Sequence, residues 1–318
     1  MLHAARRSTH PGPRGGAVLP NEAMSRALQH LVSILDLERI DATIFRGQNE
    51  STERARLFGG QVAAQALVAA GRTVEDERAP HSLHAYFLRG GDPQHPVIYT
   101  VDPIRDGGSF TTRRVVAQQN GKAIFSMGVS FHKREPGFDH ADPMPGGVAD
   151  PESLPTWAER ARQLGDAVPK EFRAWLEREH AIEFRAEGGG GPFGGGDGSG
   201  PMRIWLRASG PLPEDPFLHR CLLAYASDMA MIDAMARRHV KGPAFRSVMG
   251  ASLDHAIWFH REGRMDDWVL YEQDSPSASG ARGFARGALY ARDGRLLASV
   301  AQEGLIRPLA QGAAPGAV

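Results

Sequence analysis

Apolar positions along the chain switch between helical and strand spacing, and they do so in the same order twice. In the first half, apolar residues recur at helical spacing over Met24–Leu37, and an Ala/Val/Leu-rich stretch predicts a second, buried helix over Gln61–Val74. A short strand is predicted between these helices at Ala42–Arg46. Four longer strands follow, at His81–Leu88, Val97–Ile104, Phe110–Gln119 and Lys122–His132. Asn120-Gly121 joins the last two as a strong hairpin signal, so the sheet is predicted to be antiparallel.

The second half repeats this order. Strands are predicted at Ala181–Glu187 and Met202–Ala208, on either side of a glycine-rich loop over 188–200, and an apolar helix is predicted over Leu218–His239. The strands that follow are Ala251–Arg261, Trp268–Asp274, Ala281–Arg292 and Leu296–Arg307. Short motifs recur about 170 residues apart: Ser82-Leu83 matches Ser252-Leu253, and Asn120-Gly121-Lys122 matches Asp293-Gly294-Arg295. Two tandem units, each a helix followed by a sheet, account for this repeat.

The segment between the halves has a different character. Lys133–Pro155 contains five prolines and no periodicity, whereas Trp157–His180 returns to helical patterning and fits a linker helix. We therefore expect a first unit over 24–135, a linker with a helix over 136–180 and a second unit over 181–310. Residues 1–23 are rich in Arg, Gly, Pro and His, and they are predicted to be a disordered extension, with a transit peptide as the alternative. A disordered tail is predicted over 311–318.

Composition excludes several classes of function. The 37 basic residues balance 37 acidic ones, so no overall field draws the chain toward nucleic acid. A single cysteine rules out an intrachain disulfide framework and a Cys-rich zinc site. No apolar run approaches the roughly 20 residues that cross a bilayer, and no continuous apolar core marks a secretory signal. A cytoplasmic protein without membrane insertion is the expectation.

One carboxylate stands out. Across Cys221–Ala236 the plainly polar residues are Ser227, Asp228 and Asp233, although a helix that is apolar nearly all round belongs in a core. An unpaired ionised carboxylate is costly there, and it persists when it has hydrogen-bond partners or a chemical task. Asp228 is therefore the first functional candidate, and the structural alternative is a carboxylate that holds helix or loop amides.

From about Met24 to Arg307 the chain contains, in order, the segments FRGQNE, FGGQVAAQAL, SLHAYFLRGGD, RDGGSFTTRRVVAQQNGKAIF, YASDM, SLDHAIWFHR, SGARG and QEGLIR. Through these segments it shows a resemblance to the acyl-CoA thioesterase II (TesB-type) family. This resemblance implies an α+β double hotdog, in which two tandem units each wrap an antiparallel sheet around a central helix. It also implies hydrolysis of acyl-CoA to free CoA and a carboxylic acid, with no cofactor and no metal, by a homo-oligomer.

The resemblance assigns three catalytic residues, all in the second half. Asp228, in YASDM, would hold and activate the attacking water. Ser252 would orient that water, at a position where the family usually has Thr, and Gln302, in QEGLIR, would complete the site. Taken alone, a serine such as Ser252 is more often a turn or strand-edge residue, and an amide such as Gln302 is more often solvated or at a sheet edge.

The first half offers a possible oxyanion site. Gly59, Gly60 and Gln61 open a predicted helix, whose free N–H groups could bind the thioester carbonyl oxygen. The alternative is a glycine-rich helix entry that allows tight packing. His255 and His260 are expected to point to opposite faces of a strand, which favours core or rim histidines over a shared metal.

Two rival functions remain open on the same fold. One is a hydratase or dehydratase acting on enoyl or 3-hydroxyacyl thioesters, which needs an Asp/His acid–base pair. The other is a non-catalytic acyl-CoA-binding protein, which the fold by itself permits.

Overall fold

The computed structural model describes residues 24–50, 56–165, 168, 170–189, 198, 200–240 and 248–309. The predicted disordered segments, 1–23 and 311–318, lie outside the described residues, as does most of the predicted glycine-rich loop over 188–200. The proposed domain boundaries stay predictions.

Within the described residues, thirteen strands form one antiparallel sheet. The first half contributes β1 (Glu38–Asp41), β2 (Ile44–Gly47), β3 (Arg78–Phe87), β4 (Val97–Asp106), β5 (Phe110–Gln119) and β6 (Lys122–Lys133). The second half contributes β7 (Ile182–Ala186), β8 (Met202–Ala208), β9 (Val248–Ser252), β10 (Asp254–Phe259), β11 (Val269–Ser279), β12 (Arg282–Ala291) and β13 (Leu296–Pro308). Their order is β1-β2-β4-β5-β6-β3-β10-β13-β12-β11-β8-β7, with β9 also paired to β13. The strands of each half are therefore contiguous in the sheet.

The two halves meet edge to edge along β3 and β10, where Tyr86 lies opposite Asp254 and Ser82 lies opposite Trp258. The predicted hairpin between β5 and β6 is confirmed, because Asn120 and Gly121 both have positive φ, at 49° and 72°. Such a turn matches the right-handed twist of the flanking strands.

Six helices accompany the sheet in the described residues: α1 (Arg26–Leu35), α2 (Gly59–Gly71), α3 (Trp157–Leu164), α4 (Lys170–Glu177), α5 (Pro216–Ser227) and α6 (Met231–Ala236). Helix α2 packs on the first-half strands and is buried from Gly60 onward. Helix α5 lies against it so closely that a Cβ atom on Gly60 would come within 2.2 Å of the Tyr225 carbonyl oxygen. Helix α6 packs on β9 and β11–β13. One central helical element per unit was expected, and the structure confirms it.

Three predicted elements were wrong in extent. The helix predicted over Trp157–His180 breaks at Gly165, which has φ 54° and ends α3. The helix predicted over Leu218–His239 divides into α5 and α6, and the strand predicted over Ala251–Arg261 divides into β9 and β10. Local apolar periodicity continues through these breaks, so it does not reveal them.

The linker forms part of a second, smaller core. Trp205, Trp268, Leu270 and Tyr290 cluster there, and Met144, Val148 and Leu154 of the linker pack against them. The indole N–H of Trp205 donates to the carbonyl oxygen of Ala149 at 2.9 Å. The proline-rich segment is therefore anchored on the second unit.

Candidate active site

The end of α5 places Asp228. The helix finishes there with Asp228 as its C-cap residue, and the chain then turns through Ala230, whose φ of 66° is rare for a residue other than glycine, before α6 begins. The Tyr271 hydroxyl, from β11, donates to the carbonyl oxygen of Ser227 at 2.8 Å. This contact pairs one of the carbonyls that a helix end leaves without an intrahelical partner. Asp228 therefore sits at the turn between α5 and α6, with 7% of its surface exposed.

The structure brings the three predicted side chains together. Ser252 Oγ donates to Asp228 Oδ1 at 3.1 Å, and Gln302 Nε2 donates to Ser252 Oγ at 2.8 Å. Gln302 is fully buried, so it is not the solvated or sheet-edge amide that its residue type alone would suggest. The three residues come from α5, β9 and β13.

An extra residue in one strand makes this convergence possible. Both β9 and β10 pair with β13, Ser252 opposite Gly304 and Ala256 opposite Ala301. Four steps along β9 and β10 therefore match only three steps along β13. Such a β-bulge restores inward orientation after an odd number of residues. It lets Ser252 and His255, three apart in sequence, both contact Gln302.

The first half contributes the N-terminus of α2. The backbone N–H of Gly60 donates to the Asp228 carboxylate, which places the positive end of this helix beside the acid. A Cβ atom on Gly59 would lie 2.7 Å from Asp228 Oδ2 and equally close to the Phe87 ring. Only glycine allows this approach. The role predicted for the Gly60 amide as a donor to the thioester carbonyl stays a prediction, since that N–H here binds the carboxylate.

The side chain of Gln61 has a different environment. Its Nε2 donates to Asn49 Oδ1 at 3.1 Å and its Oε1 accepts from the Glu50 backbone N–H at 3.4 Å. Glu50 Oε1 in turn accepts from the Tyr225 hydroxyl at 2.8 Å. Gln61 therefore holds the loop ahead of α2, and Tyr225 ties that loop to α5.

Burial controls the electrostatics of the site. It raises the pKa of Asp228 to about 7, against the opposing effect of hydrogen bonds from Ser252, Gln302 and the Gly60 amide. The titratable group that faces Asp228 from β11 is Tyr271, whose pKa is raised well above its usual range by burial and by the negative charge of Asp228. Tyr271 therefore stays neutral while Asp228 titrates near neutrality.

Sequence reasoning missed a second layer behind Gln302. His255 Nδ1 lies 2.5 Å from Gln302 Oε1, and His255 Nε2 lies 2.8 Å from Ser227 Oγ. Burial lowers the pKa of His255 to about 4, despite the opposing hydrogen bond to Gln302, so the imidazole is neutral. The histidine was expected in a core or at a rim, and it is in the core. Its proximity to Gln302 depends on the bulge, for which the sequence carries no clear signal.

Among the described residues, no group of three or more His, Cys, Asp and Glu side chains is arranged to hold a metal ion. Likewise, none of the helices in that part of the chain has the length and apolar character required to cross a bilayer.

Comparison with known proteins gives consistent matches. The model of a family described as "Acyl-CoA thioesterase" matches residues 174–305, and one described as "Acyl-CoA thioesterase N-terminal domain" matches residues 49–132. Acyl-CoA thioesterase 2 of Haemophilus influenzae is 37% identical over 284 residues, which cover 89% of this chain and 99% of that relative.

Two solved structures extend this comparison. A crystal structure of an acyl-CoA thioesterase II from Mycobacterium marinum is 41% identical, with a TM-score of 0.72 over 88% of this chain and 99% of its own. A conserved protein with a hot dog fold from Alicyclobacillus acidocaldarius gives a TM-score of 0.69 at 19% identity, over 88% of this chain and 99% of its own. The second likeness concerns the fold alone. The predicted double hotdog is confirmed.

Proposed function

The chain belongs to the acyl-CoA thioesterase family, and we propose on that basis that it hydrolyses acyl-CoA thioesters with a water molecule held by Asp228, Ser252 and Gln302. The observation that carries the proposal is a buried carboxylate with a pKa of about 7, reached by a hydroxyl and an amide in one hydrogen-bonded row. It lies where the central helices of both units meet.

Asp228 acts as the general base. A base is most effective when its pKa lies near the working pH, because enough of it is ionised while it still accepts a proton readily. In the proposed step the water oxygen bonds to the acyl carbon while Asp228 accepts a water proton. The carbon–sulfur bond then breaks, and the departing CoA sulfur takes up the proton held by Asp228, which restores the carboxylate. A base of this kind contributes on the order of 10²- to 10⁴-fold to the rate.

Ser252 and Gln302 act by orientation. The Ser252 hydroxyl donates to the carboxylate, and its second lone pair can accept from the water, while the Gln302 amide fixes the hydroxyl. Neither group changes charge, so their contribution is the placement of the nucleophile along its line of attack.

The N-terminal turn of α2 is the proposed electrophilic side of the site. Its first N–H groups have no intrahelical acceptor, and the N-cap residue Phe58 gives them no side-chain hydrogen bond; the Gly60 N–H binds the Asp228 carboxylate. As the water approaches and Asp228 gains its proton, the hold of the carboxylate on the Gly60 amide weakens. Amides near Gly60 are then available to the carbonyl oxygen as negative charge develops on it.

Release of thiol from saturated acyl-CoA tests the function. A ladder of chain lengths should release free thiol from at least one substrate, and Asp228→Asn should reduce the rate by at least about 10²-fold while substrate affinity persists. Asp41→Asn, on exposed β1, is the matched control. A hydratase would leave saturated thioesters intact, and a binding protein would bind them without releasing thiol.

The route of hydrolysis has its own test. Direct attack by water passes through no covalent acyl-enzyme, so hydroxylamine added during turnover should trap no enzyme-bound acyl group. Recovery of an acylated side chain would instead assign the attack to a residue of the chain.

Homo-oligomer formation and a cytoplasmic location stay predictions, which sizing in solution and fractionation of cells can test.

A further inference from the structure

We propose that His255 is a positioning residue for hydrolysis, which locks the Gln302 amide in the one orientation that leaves the Ser252 hydroxyl free to donate to Asp228. This inference rests on the proposed function, and it assigns a role to a residue that touches neither the water nor the thioester. The side chains involved form one row: Ser227, His255, Gln302, Ser252 and Asp228.

A hydrogen bond joins each pair of neighbours in the row, and three of its members are buried. The distances are 2.8 Å from Ser227 Oγ to His255 Nε2, 2.5 Å from His255 Nδ1 to Gln302 Oε1, 2.8 Å from Gln302 Nε2 to Ser252 Oγ and 3.1 Å from Ser252 Oγ to Asp228 Oδ1. Ser227 and Gln302 are fully buried, and His255 is 1% exposed. Water therefore has little access to replace a missing partner.

The direction of each hydrogen bond in the row follows from the Asp228 carboxylate and from the neutral imidazole of His255. An ionised carboxylate only accepts, so Ser252 must give its single proton to Asp228. Ser252 must then accept from the Gln302 NH₂ group, which turns Gln302 Oε1 toward His255. A neutral imidazole carries one N–H, and that hydrogen must lie on Nδ1 to donate to Oε1.

The other imidazole nitrogen is then an acceptor. Ser227 Oγ lies 2.8 Å from Nε2 and 3.0 Å from the Ala224 carbonyl oxygen. In the proposed row its single hydroxyl hydrogen points to Nε2, which is the nearer of the two acceptors. Burial keeps the imidazole neutral by lowering its pKa, so the tautomer does not change over the range in which Asp228 titrates. One tautomer of His255 thereby fixes the whole row.

Without His255 the amide has no preferred orientation. The O and NH₂ ends of Gln302 are similar in shape, and rotation by 180° would present the oxygen to Ser252. The Ser252 proton would then be divided between Gln302 and Asp228. Asp228 would lose part of a hydrogen bond that favours its ionised form.

The decisive experiment compares His255→Phe, His255→Asn and His255→Gln in the full-length protein, with acyl-CoA as substrate. Asn places an N–H at the position of Nδ1 and should keep kcat within about 10-fold of wild type, whereas Gln mimics Nε2 and Phe mimics neither. Phe and Gln should lower kcat about 10- to 100-fold with little change in KM, which is the cost of one misplaced buried hydrogen bond. The acid limb of the kcat profile should move to higher pH in these two variants and not in Asn.

Two controls separate positioning from general damage to the fold. His260→Phe removes a nearby histidine, whose side chain contacts Ser299. This variant should leave kcat unchanged. In a Gln302→Ala background, His255→Phe should cause little further loss, because the two residues act as one unit. If His255→Phe does not fold, the ratio of kcat for His255→Asn to kcat for His255→Gln decides the question.

The proposal is overturned if Phe retains the wild-type kcat, if Asn and Gln are equally impaired, or if the losses at His255 and Gln302 multiply. Each of these results leaves acyl-CoA hydrolysis by the wild type in place. Failure of the wild type to release thiol from any acyl-CoA would instead refute the proposed function.

Discussion

Asp228→Asn is expected to inactivate the protein and yet to gain stability relative to wild type as the pH rises. Burial raises the pKa of Asp228 from its ordinary value of 3.8 to about 7. Between these values the folded state binds a proton that the unfolded state does not, so the free energy of unfolding falls as the pH rises from about 4 through 7. Asparagine has a similar shape and never ionises, so it escapes this cost.

The magnitude follows from the two pKa values. A difference of about three pKa units corresponds to roughly 4 kcal/mol once both states are ionised. Between pH 5 and pH 8 the wild type should lose roughly 2.5 kcal/mol through this one group. The Asp228→Asn variant would also carry the constant cost of an amide NH₂ that faces the Gly60 N–H. Because that cost does not vary with pH, the pH dependence of the difference is the sharper quantity.

Urea unfolding followed by tryptophan fluorescence measures this difference. The free energy of unfolding of Asp228→Asn minus that of wild type should rise by roughly 2.5 kcal/mol from pH 5 to pH 8. Asp41→Asn, at an exposed strand, should show no comparable trend. A difference that is flat or falls over this range would refute the argument that burial raises the pKa of Asp228.

Four further outcomes follow from the same geometry. Turnover should fall about tenfold per pH unit below pH 7, since Asp228 must be ionised to accept a proton; a flat kcat profile from pH 5 to 8 contradicts this. Ser252→Ala should lower kcat about 10²-fold and move this fall in turnover to higher pH. Ser252→Thr should stay near wild type in the same assay. Gly59→Ala should cost about 10-fold or more in kcat with circular dichroism unchanged, because its Cβ atom would displace the Asp228 carboxylate. Tyr271→Phe should lose about 1 kcal/mol of unfolding free energy, measured in urea, because the Ser227 carbonyl oxygen loses its donor.

Much of the fold could be predicted from local pattern. Strand alternation predicted β5 at its observed bounds, and Asn120-Gly121 predicted the hairpin to β6, because a type of turn that needs two positive φ values leaves a clear mark in the sequence. The breaks within the second-half helix and strand left no such mark. Asp228 and Ala230 lie within a continuous helical pattern in the sequence, and the turn there contacts β11 and α2.

The candidate site, too, could be predicted from the sequence only in part. The sequence singled out Asp228 as an acid in an apolar helix, and the family motifs pointed to Ser252 and Gln302. It could not place Gly60 against Asp228, because that contact joins two helices more than 150 residues apart. It also could not connect His255 with Gln302, because a one-residue bulge decides which side of the sheet the histidine faces.

The sequence by itself determined the elements, their repetition and the chemical types available to the site, since spacing, turn residues and burial preference are properties of short segments. Only the tertiary structure decided the ionisation of Asp228, the direction of the hydrogen bonds that reach it and the partnership of the two halves. The physical reason is that a pKa and a hydrogen-bond direction depend on the surrounding atoms and on the exclusion of water. Here those atoms come from α2, α5, β9, β10, β11 and β13, which only folding brings together.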